Sequence, residues 1–555
     1  MKRIQYIRIV AEQGARMPSP AADTILTNAN VVTMDPRRPH AEAIAIRGGR
    51  VLAVADAAAM TDLVGDVTEV RDLRGRTVTP GLIDAHLHPI QGLDLAAGCD
   101  LAGIVTADAL LRALRAEADR VVGDDDPWVR AWNLDYDVFH DLPRTAAAID
   151  DAVRGLPALI VLFDGHTALA STEALRRTGI DRAIAFADTA EVVVDADGRP
   201  TGELREMSAF WPVIDAAPAW LRQERLDRAR TLLAGLGASG LTGGCIMDGT
   251  ASDLDLLSDL DALGLPVRIV TAIDHQPGFD EARTQANIAL RDRAGSRWRA
   301  GLVKLYADGV VETGTAWLYE PDSAGGGNTP FWGDVATYER TVRRYAEAGF
   351  QIATHAIGDR AIGSAIDAYL AVERPASGAS HRIEHLETLA DADLARLAAA
   401  GITASIQPLH MQWRKPDGSD DWSTRLGPER SARAWRAGDM LRAGVPLALG
   451  SDWPIAQSDA RVGLAWAMLR RTPGDRDAFV FEPEQRLTAM QALHGATRGA
   501  ALAQGDADLG ILAPGTRADY AVWEESPLEV SPDDLVSLPV LETAIDGRPT
   551  SGPTA

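Results

Sequence analysis

The chain has 555 residues, too many for one ordinary core, so more than one structural unit is expected. A formal net charge of −24 argues against nucleic acid or an anionic membrane as partner, and no apolar run approaches the roughly 20 residues of a membrane span. The two cysteines, Cys99 and Cys245, allow neither a disulfide framework nor a cysteine-rich zinc site, and a reduced, cytoplasmic setting is expected.

Residues 1–22 carry basic residues, but Arg8 interrupts their apolar run, so the continuous apolar region of a signal peptide is missing. They are expected to form a poorly ordered leader, with Met17 as an alternative start. Residues 23–80 read as β-rich, with "TILTNANVVTM", then "AEAIAIRGGRVLAVA" turning at Gly48-Gly49, then "RTVTPG". From residue 81 short apolar strands alternate with amphipathic helices. Eight strands are predicted, at 82–88, 241–246, 267–273, 301–307, 351–355, 382–385, 402–406 and 446–451. Helices such as "YERTVRRYAEAG" and "DADLARLAAAG" lie between them, the second stopped by Gly401. Eight such units predict an α/β protein with a (β/α)8, TIM-like barrel over 81–504. A doubly wound sheet explains the count less well, and no G-x-G-x-x-G turn is present.

The stretch between the first two strands is far too long for a βα loop and holds strand signals of its own in "WVRAWNLD", "ALIVLF" and a hairpin at 191–202. Residues 100–215 are therefore expected to form an inserted subdomain roofing the barrel mouth. After the helix "LTAMQALHGATRGAALA", strand character returns in "ADYAVWE". Residues 505–555 are expected to join 23–80 in one accessory β-sandwich built from both chain ends. The runs Asp124-Asp125-Asp126 and Gly325-Gly326-Gly327 read as loops.

The motif "GLIDAHLHP" ends a strand on His86 and His88. Side chains at i and i+2 of a strand share a face, so both imidazoles aim at one point, which suits a divalent metal or a hydrogen-bonded surface pair. The other strand ends decide between them, because barrel active sites form there. They hold Lys304 in "GLVKLYADG", His355 in "QIATHAIGDRA", His385 in "HRIEHLE" and Asp452 in "LALGSDWP". One histidine or aspartate alone is more often a hydrogen-bonding or capping residue. Six metal-capable groups at one end of one barrel define a site.

With "LFDGHTAL" and "SIQPLH", these stretches resemble, in order, the amidohydrolase superfamily, and within it the YtcJ-like branch that includes N-substituted formamide deformylases. The resemblance runs from about residue 23 to the end. It implies a hydrolase that cleaves the C–N bond of a small amide-type substrate (an N-substituted formamide, amide, carbamate or cyclic amide) by attack of metal-bound hydroxide. It makes His86, His88, His355, His385 and Asp452 metal ligands. Lys304 matches a position where related hydrolases carry a carboxylated lysine between two metals. Two zinc ions are then expected, one on His86, His88 and Asp452 and the other on His355 and His385, with Lys304 bridging.

The residue chemistry supports the lysine independently. Only Lys2, Lys304 and Lys415 of the 55 basic residues are lysine, so an arginine would be the usual ion-pair partner in this chain. Arginine stays charged and cannot form a carbamate, whereas a desolvated amine can. The alternative is an ion pair of Lys304 with Asp308 or Glu312.

Asp452 is expected to shuttle the proton from water to the leaving nitrogen, with His410 against the substrate carbonyl. His166, Asp308, Trp317, Trp413 and Trp453 are the expected substrate-binding residues, and the tryptophans point to an apolar or aromatic N-substituent. Trp332 belongs to the same group of loop tryptophans. His40, His140, His275, His381 and His494 show no convergent pattern.

A hydrolytic deaminase of the same superfamily would carry H-x-x-E after strand 5, where this chain has His355-Ala356-Ile357-Gly358. A catalytically inactive binding or regulatory member would have no need of a complete ligand set. A homodimer is expected.

Overall fold

The computed structural model describes residues 21–551, so the leader expected over 1–22 lies, but for its last two residues, outside them. Eight parallel strands form one sheet: β1 (Leu82–Leu87), β2 (Leu241–Gly249), β3 (Arg268–Asp274), β4 (Trp298–Tyr306), β5 (Gln351–Ala356), β6 (Arg382–His385), β7 (Thr403–Ile406) and β8 (Leu447–Leu449). Each pairs with the next in chain order. Just past β8, the Ser451 amide donates to the Asp84 carboxylate at 3.0 Å and the Asp452 amide to the His86 carbonyl at 2.7 Å, which closes the circle. This is the (β/α)8 barrel expected from the sequence.

Strand parity then decides what faces the lumen. Cys245, Met247, Val270, Ala272, Leu302 and Ala353 form one buried cluster of alternate residues. Two residues further along their strands come Asp274, Lys304 and His355, so these polar groups form the layer above an apolar plug. The intervening residues, such as Val303, Leu305 and Ile352, pack outward with the helices in the largest core cluster. The predicted helix over 338–349 is Val335–Glu347, and Asp391–Ala400 ends on Gly401 at φ 58°. The helix expected after residue 486 forms, but with a wide π-turn at Gly495–Gly499. There a side chain at 499 would collide with the Leu447 carbonyl, so glycine lets the turn lie directly on β8.

Both chain ends make the accessory sandwich. Its four-stranded sheet runs in the order Arg50–Ala55, Ala43–Arg47, Thr24–Thr27, Glu69–Asp72. The six-stranded sheet places Thr77–Pro80 directly beside Tyr520–Trp523. Leu26, Val31, Ile44, Val78, Tyr520 and Val522 share its core.

The insert contains a six-stranded mixed sheet that includes Val129–Leu134, Ala158–Leu162, Thr167–Ala170 and the hairpin Glu191–Val194/Pro200–Arg205. Its functional feature is the antiparallel pair Ala158–Leu162/Thr167–Ala170. The tip of that hairpin is Phe163-Asp164-Gly165-His166, and it reaches the barrel mouth. Among the described residues no helix is long and apolar enough to cross a membrane.

Candidate metal centre

His86 and His88 converge as their spacing requires. Their Nε2 atoms lie 3.3 Å apart, and Asp452 Oδ1 sits 3.3 Å from the first and 3.0 Å from the second. The other Asp452 oxygen is 3.4 Å from His410 Nε2 and 3.8 Å from His385 Nδ1. Two triads, His86–His88–Asp452 and His385–His410–Asp452, therefore share one carboxylate. Asp452 and His385 both hold positive φ, 62° and 75°, an unfavourable backbone that non-glycine residues keep mainly where function requires it.

Carboxylates stand behind four of the site's histidines. Glu384 takes His86 Nδ1 at 2.8 Å, and Asp248 lies 3.2 Å from His88 Nδ1. Glu387 lies 3.5 Å from His410 Nδ1 and Glu206 2.6 Å from His166 Nδ1. A carboxylate on Nδ1 fixes ring orientation and leaves Nε2 free as a ligand. Burial alone would raise the Glu384 carboxyl, but the Arg382 guanidinium, bonded to it at 2.6 and 2.9 Å, holds it well below the usual range with help from His86.

The donor set fits a divalent cation. Burial would lower the His88 and His410 imidazoles, yet the surrounding carboxylates, Asp248 and Asp452 for the one and Asp452 and Glu387 for the other, bring each up to about 9. That excess of buried negative charge is what a metal would balance. Desolvation holds His355 and His385 well below the ordinary value, which keeps them neutral as ligands must be. His88 Nδ1, His385 Nδ1, His410 Nε2 and both Asp248 oxygens are buried with no hydrogen-bond partner meeting full geometry. Such orphans suit a site built around a further group.

His355 lies beside these triads, not within them. Its ring is 4.4 Å from that of His385, and its Nε2 faces the Gly309 carbonyl at 3.1 Å. Lys304 is 1% exposed, and among the described residues no carboxylate lies within ion-pair distance of it. Desolvation lowers its pKa, against the pull of Glu384 and Asp452. Neither ion-pair alternative forms, since Glu312 binds Arg414 at 3.1 Å. Asp308 accepts the backbone amides of Trp317, Ile357 and Gly358 at 2.7–3.0 Å.

The expected substrate-binding residues divide. His166 and Trp413 line the cavity over the cluster. Trp453 lines a neighbouring cleft. Asp308 is fully buried, where it holds its three amides and lies 3.8 Å from His355 Nε2, so it stands behind a site histidine and does not line the cavity. Trp317 is also buried, under the Arg360 guanidinium at 4.7 Å. Trp332 packs with His275 away from the cavity. His410, expected against a substrate carbonyl, lines the cavity and also lies within the His385–His410–Asp452 triad. The deaminase position has no space for its acid, because any side chain at Gly358 would collide with the Trp317 carbonyl.

Asp248, Glu384, Glu387 and Glu206 are the residues the sequence reading missed. Arg382 and Glu384 alternate within the buried strand "RIEH", a pattern an ordinary core strand would not carry, so their signal was present. Asp248 was hidden because the strand was ended at 246, and a register irregularity between Ile246 and Gly249 re-aims it.

A parallel eight-stranded barrel whose C-terminal mouth gathers histidines around a shared carboxylate defines a metal-dependent hydrolase. The chain belongs to the amidohydrolase family, whose model matches residues 69–551. It is 28% identical to Protein LONG AFTER FAR-RED 3 of Arabidopsis thaliana, over 95% of this chain and 91% of that protein. It is 27% identical to putative amidohydrolase YtcJ of Bacillus subtilis, covering 87% and 90%. Its identity to N-substituted formamide deformylase of Arthrobacter pascens is also 27%, covering 95% and 97%. The fold matches a crystal structure of an uncharacterized metal-dependent hydrolase from Pyrococcus horikoshii with a TM-score of 0.71, at 23% identity, over 92% of this chain and 99% of that one.

Proposed function

We propose that the protein hydrolyses the C–N bond of a small amide-type substrate and uses two zinc ions to do so. The observation that carries this reading is Asp452 shared between two histidine pairs beside a buried, unpaired Lys304. His86, His88 and Asp452 would hold one ion, and His385 with His355 and His410 the other. Lys304, carboxylated on Nζ, would bridge them. The ions would supply the Lewis acidity that polarises a carbonyl and makes water acidic near neutral pH.

The chain's own groups supply the rest. Asp452 is placed to take a proton from the attacking water on a carboxylate oxygen and to return it to the leaving nitrogen. Burial would lower the His166 imidazole, yet Glu206 on its Nδ1 brings it up to about 9, so the ring is a cation at neutral pH and its Nε2–H can donate toward a carbonyl oxygen in the cavity. Glu384 and Asp248 keep the His86 and His88 rings in their ligating orientation. The excluded glutamate at position 358 speaks against deamination. The relative named a formamide deformylase lends N-formyl amides support as first substrates.

Elemental analysis of the purified protein, paired with a panel of N-aryl and N-alkyl formamides, acetamides, carbamates and lactams, tests this reading. About two divalent ions per chain and turnover of at least one amide are expected. Full activity without transition metal, or ammonia release from amino-purines or amino-pyrimidines alone, would overturn it.

A further inference from the structure

The cavity over the histidine cluster measures about 30 Å³, room for about two waters, so anything beyond a small acyl group must extend out of it. Two larger clefts adjoin it, and Phe163 and Trp413 line all three. Their rings are stacked, with centroids 4.1 Å apart at 14°, and form a shared wall between insert and barrel. One cleft, about 240 Å³, is lined with charges that include Arg144, Lys415 and Asp421. The other, about 530 Å³, sets Trp132, Trp413 and Trp453 among polar residues that include Asn133, Gln412 and Gln457, with Ile455 at its inner side. Ile455 also lines the inner cavity, so this cleft opens beside the reacting position.

The three tryptophans come from separate segments: the insert strand Val129–Leu134, the turn after β7 and the turn after β8. All are only half-buried, and all three line this one cleft. Asp100, Asp135 and Asp459 line the cleft as well and disfavour an anion there.

We propose that this tryptophan cleft is a subsite for a flat aromatic group that carries no negative charge, and that it takes the substituent on the substrate nitrogen while the inner cavity takes a small acyl group. The orientation of the substrate rests on the amide reading above; the affinity of the cleft for a flat ring does not.

Calorimetric titration of the metal-loaded protein with p-toluidine, an amine uncharged at neutral pH, tests the subsite directly. Binding is expected to weaken about ten-fold in Trp132→Ala and Trp453→Ala and to return in Trp132→Phe and Trp453→Phe, with metal content unchanged throughout. Sulfanilate, the same ring with a negative charge, is expected to bind about ten-fold more weakly than p-toluidine. In turnover, the preference in kcat/KM for formanilide over N-cyclohexylformamide should fall in both alanine variants. No toluidine binding, or equal binding by wild type and both alanine variants, would overturn the proposal. Tryptophan-dependent toluidine binding without hydrolysis of any amide would sustain the subsite and overturn the amide reading alone.

Discussion

At Lys304 the carbamate and the ion pair forecast opposite rankings of the same two variants. Lys304→Arg keeps charge and length but cannot be carboxylated, so it should lose most of the second metal and nearly all activity. Lys304→Ala should be equally inactive, yet it leaves a space that formate, acetate or bicarbonate could enter, and these should restore part of its activity and none to Lys304→Arg. An ion-pair role would make arginine the tolerated variant. Glu384→Gln should lower metal affinity about 10–100-fold, read by chelator competition, because His86 loses the carboxylate that orients it. Wild-type affinity in that variant would remove Glu384 from the site. The proposed ligands were legible in the sequence because they stand at strand ends, where parity and position can be counted. Their carboxylate partners were less so, since a pair such as His86 and Glu384, on β1 and β6, becomes visible only when the barrel closes.

Among the elements, the insert hairpin joins the two halves of the site. Gly165 at its tip has φ 67°, and a side chain there would meet Ile455, so glycine sets both the turn and its close approach to the loop after β8. Gly165→Ala should destabilise the protein by about 1–2 kcal/mol and raise KM with metal content unchanged, as thermal denaturation, kinetics and elemental analysis would report. An unchanged KM would separate the tip from substrate binding. The strands of the insert were readable from local pattern, as "ALIVLF" shows. Their destination was not, because periodicity says which residues form a strand and nothing about which loop a hairpin tip will meet.

Across the whole molecule, the sandwich is tied to the end of the barrel opposite the site. Arg268, the first residue of β3, bonds Asp519 at 2.6 Å and Asp546 at 2.6 Å, both from the C-terminal segment. Arg268→Ala should cost about 3–5 kcal/mol, because the almost fully buried Asp519 would lose its counter-charge. Calorimetry should record that loss while metal stoichiometry stays at the wild-type value; loss of metal instead would mean that the sandwich governs the site. The central claim is a two-metal centre around Asp452 with Lys304 as its bridge, and anomalous diffraction from crystals of the protein as purified tests it most directly. The expected map has two metal peaks, one on His86, His88 and Asp452 and the other on His385 with His355 and His410, and density continuing past Lys304 Nζ. A map without metal, or with an unmodified Lys304 bonded to a carboxylate, would contradict it.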